Sequence, residues 1–363
     1  MNIVILGQTI PTSFGNGYAT SMRGLVKELK KRGHEVLFLE RDKPLQTATD
    51  NLLSLDYCKT EHYASVDDLQ QRFTEQVREA ELVIVGSEVT EGVAVGEWVV
   101  QTAFGIKAFY DFNTTQTLAQ LKRQNCNYLN ISLIPKYDLY LSVTGGPTLQ
   151  LLEKKYGAPA ARALYFSFDS DLYFPEYQEL KWDLGYLNMN ADDKQPALES
   201  LMVEAAKQWP QGRFAVAGMQ LPKSITWPEN IERIQKLEPK EHRSFYNSQR
   251  FTQQLTSSDM RKAGYSPTAH LFEAAACCTP IISEYWDGLD SIFDIGSEIL
   301  VARSAKDTLC YLREICNSER KAIGARARKK VVTQHSAAHR ALELEKYVQE
   351  LMTVETEMKE QVA

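Results

Sequence analysis

Residues 264–283 read Gly-Tyr-Ser-Pro-Thr-Ala-His-Leu-Phe-Glu-Ala-Ala-Ala-Cys-Cys-Thr-Pro-Ile-Ile-Ser. They divide into a loop, a helix and a strand. Ser266 suits an N-cap and Pro267 the first helical turn, so the spacing predicts a helix over 266–277, with 280–283 a short buried strand. Leu271, Phe272, Ala274, Ala275, Ala276, Cys277 and Cys278 make this helix apolar nearly all round, the pattern of a buried helix. Glu273 sits in its middle. A buried carboxylate needs a partner, because desolvating an unpaired one is costly. Positions 266, 270, 273 and 277 share one helical face, so Ser266, His270 and Glu273 form a polar ladder starting at a helix N-terminus. Free N–H groups and the positive dipole end there favour an anion. A ligand with phosphate at one end and vicinal hydroxyls about two turns away fits the ladder, as in a nucleoside diphosphate. The alternative is that Glu273 pairs with an internal Arg or Lys.

Outward from this stretch the chain alternates strand and helix. In the first half, strands are expected at 2–6, 35–39, 82–85, 107–110, 139–142 and 164–166. Helices fall between them, the first running to about residue 32 with Met22, Leu25, Val26 and Leu29 on its inner face, the others near 66–80, 93–104, 115–123 and 147–156. Residues 42–60 carry little signal and read as mostly loop. A second series has strands at 182–187, 214–217, 231–237, 251–255, 280–282 and 299–301. Its helices fall near 195–208, 239–249, 266–277 and 305–316, followed by 318–334 and 337–358. Repeated βαβ units imply parallel sheets. The expected fold class is therefore α/β, with two Rossmann-like domains facing across a cleft, at 1–167 and 168–336, and a C-terminal helix in 337–363. Leu342, Leu344, Tyr347, Val348 and Leu351 give that helix an apolar stripe. Ligands of open α/β sheets bind beyond the carboxyl ends of the strands.

A length of 363 residues suits two domains, and 44% hydrophobic with 24% charged residues is ordinary for a globular chain. The net charge of −6 argues against a nucleic-acid or anionic-membrane binder. No apolar run reaches transmembrane length, and the first residues read as a strand rather than a signal peptide. Six cysteines without CxxC spacing fit reduced thiols in a cytoplasm. No metal is expected: no carboxylate pair follows a strand in the second half, the adjacent Asp192 and Asp193 diverge, and the six His form no ligand set in sequence.

The segment from Leu271 to Ser283 resembles the "Glu-Ala-x-Ala-x-Gly-x-Pro-Val" segment of the large retaining GT-B glycosyltransferase family, and the whole chain resembles its bacterial CgeB-like (spore maturation protein-like) branch. Two positions depart from the pattern. Cys278 replaces the usual Gly, and Tyr265 stands where a Glu often precedes the ribose-binding one. The resemblance implies that Glu273 holds the ribose hydroxyls of a nucleotide-sugar donor, and that catalysis is metal-independent and retaining. It also implies that the Gly15, Asn16, Gly17 loop touches the donor phosphates, that a basic residue after the first strand of the second domain grips the diphosphate, and that the last helix crosses back to the first domain.

The residues supply candidates for these roles. Two glycines at 15 and 17 let a backbone approach phosphate closely, or simply make a turn. Lys194 is the cation available after strand 182–187, placed to neutralise a leaving phosphate, or else solvated at a helix start. Ser266, Pro267 and Thr268 begin the helix that carries His270 and Glu273. Gly218 opens a turn after strand 214–217. His242 and Tyr246 lie on a helix near which the family holds the donor base, although His242 reads equally as a surface residue. In the first domain Asp111 follows a strand and is placed to meet an acceptor hydroxyl or assist its deprotonation, or to start the next helix beside Asn113 and Thr114. Glu88 is a second candidate of that kind. Thr144-Gly145-Gly146-Pro147 resembles a run of the same branch and reads as a strand–helix junction. His34, at the amino end of its strand, reads as structural. The expectation is a cytoplasmic glycosyltransferase acting on a nucleotide-diphospho-sugar and an unnamed acceptor, with no further cofactor. A sugar-nucleotide epimerase and a non-catalytic nucleotide-sugar-binding protein are the alternatives.

Overall fold

The computed structural model describes residues 1–8, 10, 17–42, 56–187, 194–218, 221–222, 224–235 and 237–362. The chain separates into two compact units: one holds the first strand, Tyr18–Phe166 and the residues from Ala337 onward, the other Ser167–Ser336.

The first unit contains β1 (Asn2–Gly7), α1 (Gly17–Lys31), β2 (Glu35–Arg41), β3 (Lys59–Tyr63), α2 (Val66–Glu79), β4 (Leu82–Gly86), α3 (Gly92–Thr102), β5 (Ile106–Asp111), α4 (Thr114–Lys122), β6 (Leu139–Ser142), α5 (Pro147–Tyr156) and β7 (Ala161–Ala163). All pairings are parallel, in the order β3-β2-β1-β4-β5-β6-β7. The central strands are continuous apolar runs because helices cover both faces of such a sheet. Alternation divides their side chains between two cores. Val4, Leu6, Val83 and Val85 pack with Leu69, Phe73, Val95 and Val99 of α2 and α3. Ile3, Ile5, Leu82 and Ile84 pack on the other face with Met22, Leu25, Val26 and Leu29 of α1.

The second unit contains β8 (Trp182–Leu187), α6 (Gln195–Leu198), α7 (Glu204–Gln208), β9 (Phe214–Ala217), β10 (Ile231–Ile234), α8 (Pro239–Asn247), β11 (Gln249–Gln254), α9 (Ser258–Ala263), α10 (Ala269–Ala276), β12 (Ile281–Ser283), β13 (Leu300–Val301), α11 (Ala305–Glu314) and α12 (Asn317–Gln334). The sheet order is β10-β9-β8-β11-β12-β13. Counted within the unit this is 3-2-1-4-5-6, the dinucleotide-fold order, and the strand order reverses between β8 and β11. A π turn over Glu199–Val203 joins α6 to α7, so 195–208 is one helical run with a local widening.

The last helix, α13 (Ala337–Val362), belongs to the first unit. Ala341, Leu344 and Val348 are fully buried in the core that also holds α1. Glu345 accepts two 2.6 Å hydrogen bonds from Arg32 and lies 2.6 Å from His34 Nε2. His34 Nδ1 lies 3.0 Å from the Met1 amino group, so this ring ties termini together at the amino ends of the strands. Leu342, expected in the apolar stripe, is 45% exposed; the buried row is set by 341, 344 and 348.

Four expectations need correction. Residues 59 and 60, read as the end of a loop, begin β3, for which no strand was expected; this edge strand buries only Tyr63, so it has no apolar signature. Residues 43–55 lie outside the described residues. The strand expected at 164–166 is β7 at Ala161–Ala163, placed by its register on β6, with Tyr140 opposite Ala161. The helix expected to end at 249 stops at Asn247, because Gln249 already pairs with Trp182 in the sheet. The short helix α9 was unmarked in the sequence, since none of its six residues is buried.

Leu344→Ala should cost about 2–5 kcal/mol of stability, the range for emptying a fully buried leucine site. Leu342→Ala should stay within about 0.5 kcal/mol. Urea unfolding of the two variants checks this.

Candidate functional site

Helix α10 begins at Ala269 with Thr268 as its N-cap, and makes no side-chain cap bond. The expected start at Ser266 is therefore displaced: Ser266 and Pro267 lie outside any helix, and Thr268 is extended. A proline disfavours the helical region for the residue before it. Gly264 and Tyr265 also have positive φ values of 67° and 46°, and Tyr265 N–H donates to Asp287 O at 2.6 Å. The Tyr265 ring lies against Gly288, where a Cβ would come within 2.4 Å of a ring carbon. The loop is thus locked to the turn after β12, and the helix starts only once the chain leaves that lock. Ser266, buried in the loop, is not part of the helical ladder.

His270 and Glu273 do meet. Every residue of α10 except His270 is buried. His270 Nδ1 lies 2.8 Å from Glu273 Oε2. Burial pushes the Glu273 carboxyl up, but the charge and hydrogen bond of His270, with smaller help from His242 and Tyr173, outweigh it and hold the group below its ordinary range. An ionised carboxylate only accepts, so the proton sits on His270 Nδ1. Among the described residues the partner of the buried acid is therefore a histidine rather than an Arg or Lys. Gln254, at the end of β11, reaches the His270 carbonyl at 3.5 Å, which sets the start of α10 at the carboxyl end of the sheet.

His242 on α8 is buried, not superficial. Its Nδ1 lies 3.5 Å from Tyr173 Oη, and its ring meets the His270 ring edge-on at 6.0 Å between centroids. Burial is the main cause that pushes this imidazole down to about 4. Tyr246 is fully buried, with its hydroxyl 3.4 Å from His270 Nδ1. Tyr173 was missed in the sequence because it lies in an irregular connector without periodicity.

Lys194 occupies the N-cap position of α6, half-buried, and its carbonyl accepts from Leu198 N–H at 3.0 Å. Gly218 is buried and donates its N–H to Ile234 O at 2.9 Å. Gly15, Asn16, Met219, Gln220 and residues 188–193 lie outside the described residues, and Gly17 opens α1. A cavity of about 330 Å³ lies beside α6 at the carboxyl ends of β12 and β13, lined by Ser200, Arg261, Glu284, Tyr285 and Arg303 among others. Glu284 pairs with Arg261 and accepts from Thr256 N–H at 2.7 Å. No motif in the sequence marked this set.

Asp111 stands at the carboxyl end of β5, but it does not face solvent. It is fully buried and accepts from Tyr140 Oη at 2.6 Å, Thr117 Oγ1 at 2.8 Å and Asn113 N–H at 3.1 Å. Its carboxylate ties β5 to β6 and α4, an interior position that does not match the acceptor-facing role expected for it. Burial pushes its pKa up to about 6, against the three hydrogen bonds. Glu88 is the exposed carboxylate of this region. It follows β4 with φ of 63° and accepts from Gln8 Nε2 at 2.8 Å, beside the end of β1. Those two strand ends flank the order reversal of the first sheet.

Comparison with known proteins defines the class. Solved structures match over nearly the whole chain. A sucrose-phosphate synthase from Thermosynechococcus elongatus is 13% identical, over 97% of this chain and 99% of that one, with a TM-score of 0.69. Anabaena HepE in complex with UDP-glucose is 11% identical, over 96% and 100%, at 0.68. An alpha-glucosyltransferase in complex with UDP is 13% identical, over 96% and 100%, at 0.71. The fold is thus GT-B, two Rossmann-like domains in one chain. Residues 194–346, most of the second unit and the start of α13, match the family described as glycosyl transferase-like. No curated protein matches the chain.

A carboxyl whose folded pKa is raised contributes stability that is present below its unfolded value and lost as pH rises through the folded one. For Asp111 that window runs from 3.8 to about 6. Wild type should therefore gain stability relative to Asp111→Asn as pH falls through this window. Melting temperatures of both proteins on either side of it check this, and a constant difference would contradict it.

Proposed function

We propose that this chain is a glycosyltransferase that moves a sugar, with retention and without a metal, from a nucleotide-diphospho-sugar to an acceptor hydroxyl. The observation that carries the reading is Glu273: an ionised carboxylate one turn inside an apolar helix, at the carboxyl end of a Rossmann-ordered sheet, covered on its own helix only by His270. Such a group is costly to bury, and two ribose hydroxyls would replace the imidazole N–H once the half-buried His270 ring turns aside. The uncapped start of α10 and Lys194 would take the diphosphate, joined by the Gly15, Asn16, Gly17 loop. As the sugar–phosphate bond breaks, these groups face the charge that builds on the leaving phosphate, and positioning with preorganised donors supplies most of the rate.

Similar structures support the donor class, since HepE and the alpha-glucosyltransferase were solved with UDP-glucose and UDP. The Glu273 segment and its likeness to the retaining family support retention. Glu88, exposed at the strand-order reversal, takes over from Asp111 as the carboxylate we assign to the acceptor. Some neighbours hold DNA, but a net charge of −6 suits a phosphate backbone poorly, so we assign an acceptor other than nucleic acid. No described helix is long and apolar enough to cross a membrane, and the six cysteines are free, consistent with action in a reducing cytoplasm.

Incubation with UDP-, GDP- and ADP-sugars should release nucleotide from at least one of them, in the absence of divalent metal. Lys194→Ala should then lower kcat by about 10²–10³-fold, the scale for losing one donor to a developing charge. Inert mixtures throughout, or an unchanged kcat in the variant, would contradict these assignments.

A further inference from the structure

One set of groups is not accounted for by nucleotide binding. One ring nitrogen of His242, one of His270 and one carboxylate oxygen of Glu273 all lie within 4.8 Å of one another. They come from two helices, α8 and α10, on opposite sides of β11 in the chain. His242 is 3% exposed, and its Nε2 is buried without a hydrogen-bond partner. An orphaned buried imidazole nitrogen costs free energy, roughly 1–3 kcal/mol for an unsatisfied polar group, and is the kind of atom that calls for an explanation.

We infer that His242, His270 and Glu273 form a binding site for a divalent transition metal ion of the zinc class. Two imidazoles and one carboxylate are a ligand set that Zn²⁺ uses with a fourth position left open. Zinc–nitrogen and zinc–oxygen bonds of about 2.0–2.2 Å place tetrahedral ligand atoms roughly 3.3 Å apart. His270 Nδ1 and Glu273 Oε2, at 2.8 Å, would open slightly, and the more distant atoms would close by side-chain rotation. The proton between those two atoms must leave. Metal binding needs Nδ1 free, so that proton passes to solvent and the ligating imidazole keeps its hydrogen on Nε2. The His242 ring is already braced through its other nitrogen: Tyr173 Oη stands 3.5 Å from Nδ1. Outer hydroxyls of this kind orient metal-binding histidines. Glu273 brings one negative charge, so the occupied site is singly positive.

The site does not depend on the donor reading. One consequence does rest on it: a bound ion and a ribose would contend for Glu273, which makes zinc an inhibitor competitive with the nucleotide sugar.

The test is a titration of the metal-stripped full chain with Co²⁺, followed by visible absorption, with zinc back-titration and metal analysis after dialysis. We expect one ion per chain, the intense d–d bands of four- or five-coordinate cobalt, and no thiolate-to-cobalt charge-transfer band. His242→Ala should abolish the d–d bands. His270→Ala changes a ring that reaches the surface, and it should do the same in a protein whose melting curve shows it folded. No binding, a thiolate band from the free cysteines, or unchanged binding in the folded His270→Ala protein would overturn the assignment. Nucleotide binding that is indifferent to bound zinc would instead count against the ribose role of Glu273 and leave the metal site standing.

Discussion

An ionised carboxylate held inside an apolar helix is the constraint around which the second unit is arranged. Glu273 has no lysine or arginine among its named hydrogen-bond and charge partners; its closest contact is an imidazole one turn earlier. Both residues lie in the first two turns of α10, which begins at Ala269. A helix starting at Ser266 would extend the apolar cylinder by a turn and carry the loop out of its lock on Asp287 and Gly288. The short helix, the left-handed Tyr265 and the buried tyrosines of the network are parts of one arrangement.

The two sheets share a logic. Each reverses its strand order between its first strand and the fourth strand in chain order, and each carries a carboxylate in the connection after that fourth strand: Glu88 beyond β4, and Glu273 on α10 between β11 and β12. Glu88 and Tyr265 are among the non-glycine residues in left-handed conformation in these connections, and they carry backbone strain. Such strain costs roughly 1–3 kcal/mol and persists where the surroundings over-determine it. Tyr265 is held by the Gly288 turn, and Glu88 by Gln8.

Much of this was legible in the sequence. Strands buried on both faces, such as Leu82–Gly86, announce themselves as apolar runs, and the alternation of strand and helix fixes a parallel sheet. The apolar helix with one acid was equally plain. What escaped was decided by tertiary partners. Asp111 follows a strand, so it reads as a site residue, but Tyr140 and Thr117 lie 29 and 6 positions away in the chain, and only the fold shows that they draw it inside. His242 reads as superficial on a polar helix, and its burial comes from packing beside α10 and Tyr173. Edge strand β3 and helix α9 have little buried surface and so no periodic mark.

The central claim is that the Glu273 carboxylate exists to hold ribose. The most direct measurement is a calorimetric double cycle with wild type and Glu273→Gln, each titrated with a nucleoside diphosphate and its 2′,3′-dideoxy analogue, with melting curves alongside. The account predicts that the substitution weakens the ribonucleotide by about 1.5–3 kcal/mol, the worth of a hydrogen bond to a charged group. It should cost the dideoxy analogue almost nothing further. Equal losses for both ligands would show that Glu273 does not touch the ribose hydroxyls and would contradict the account.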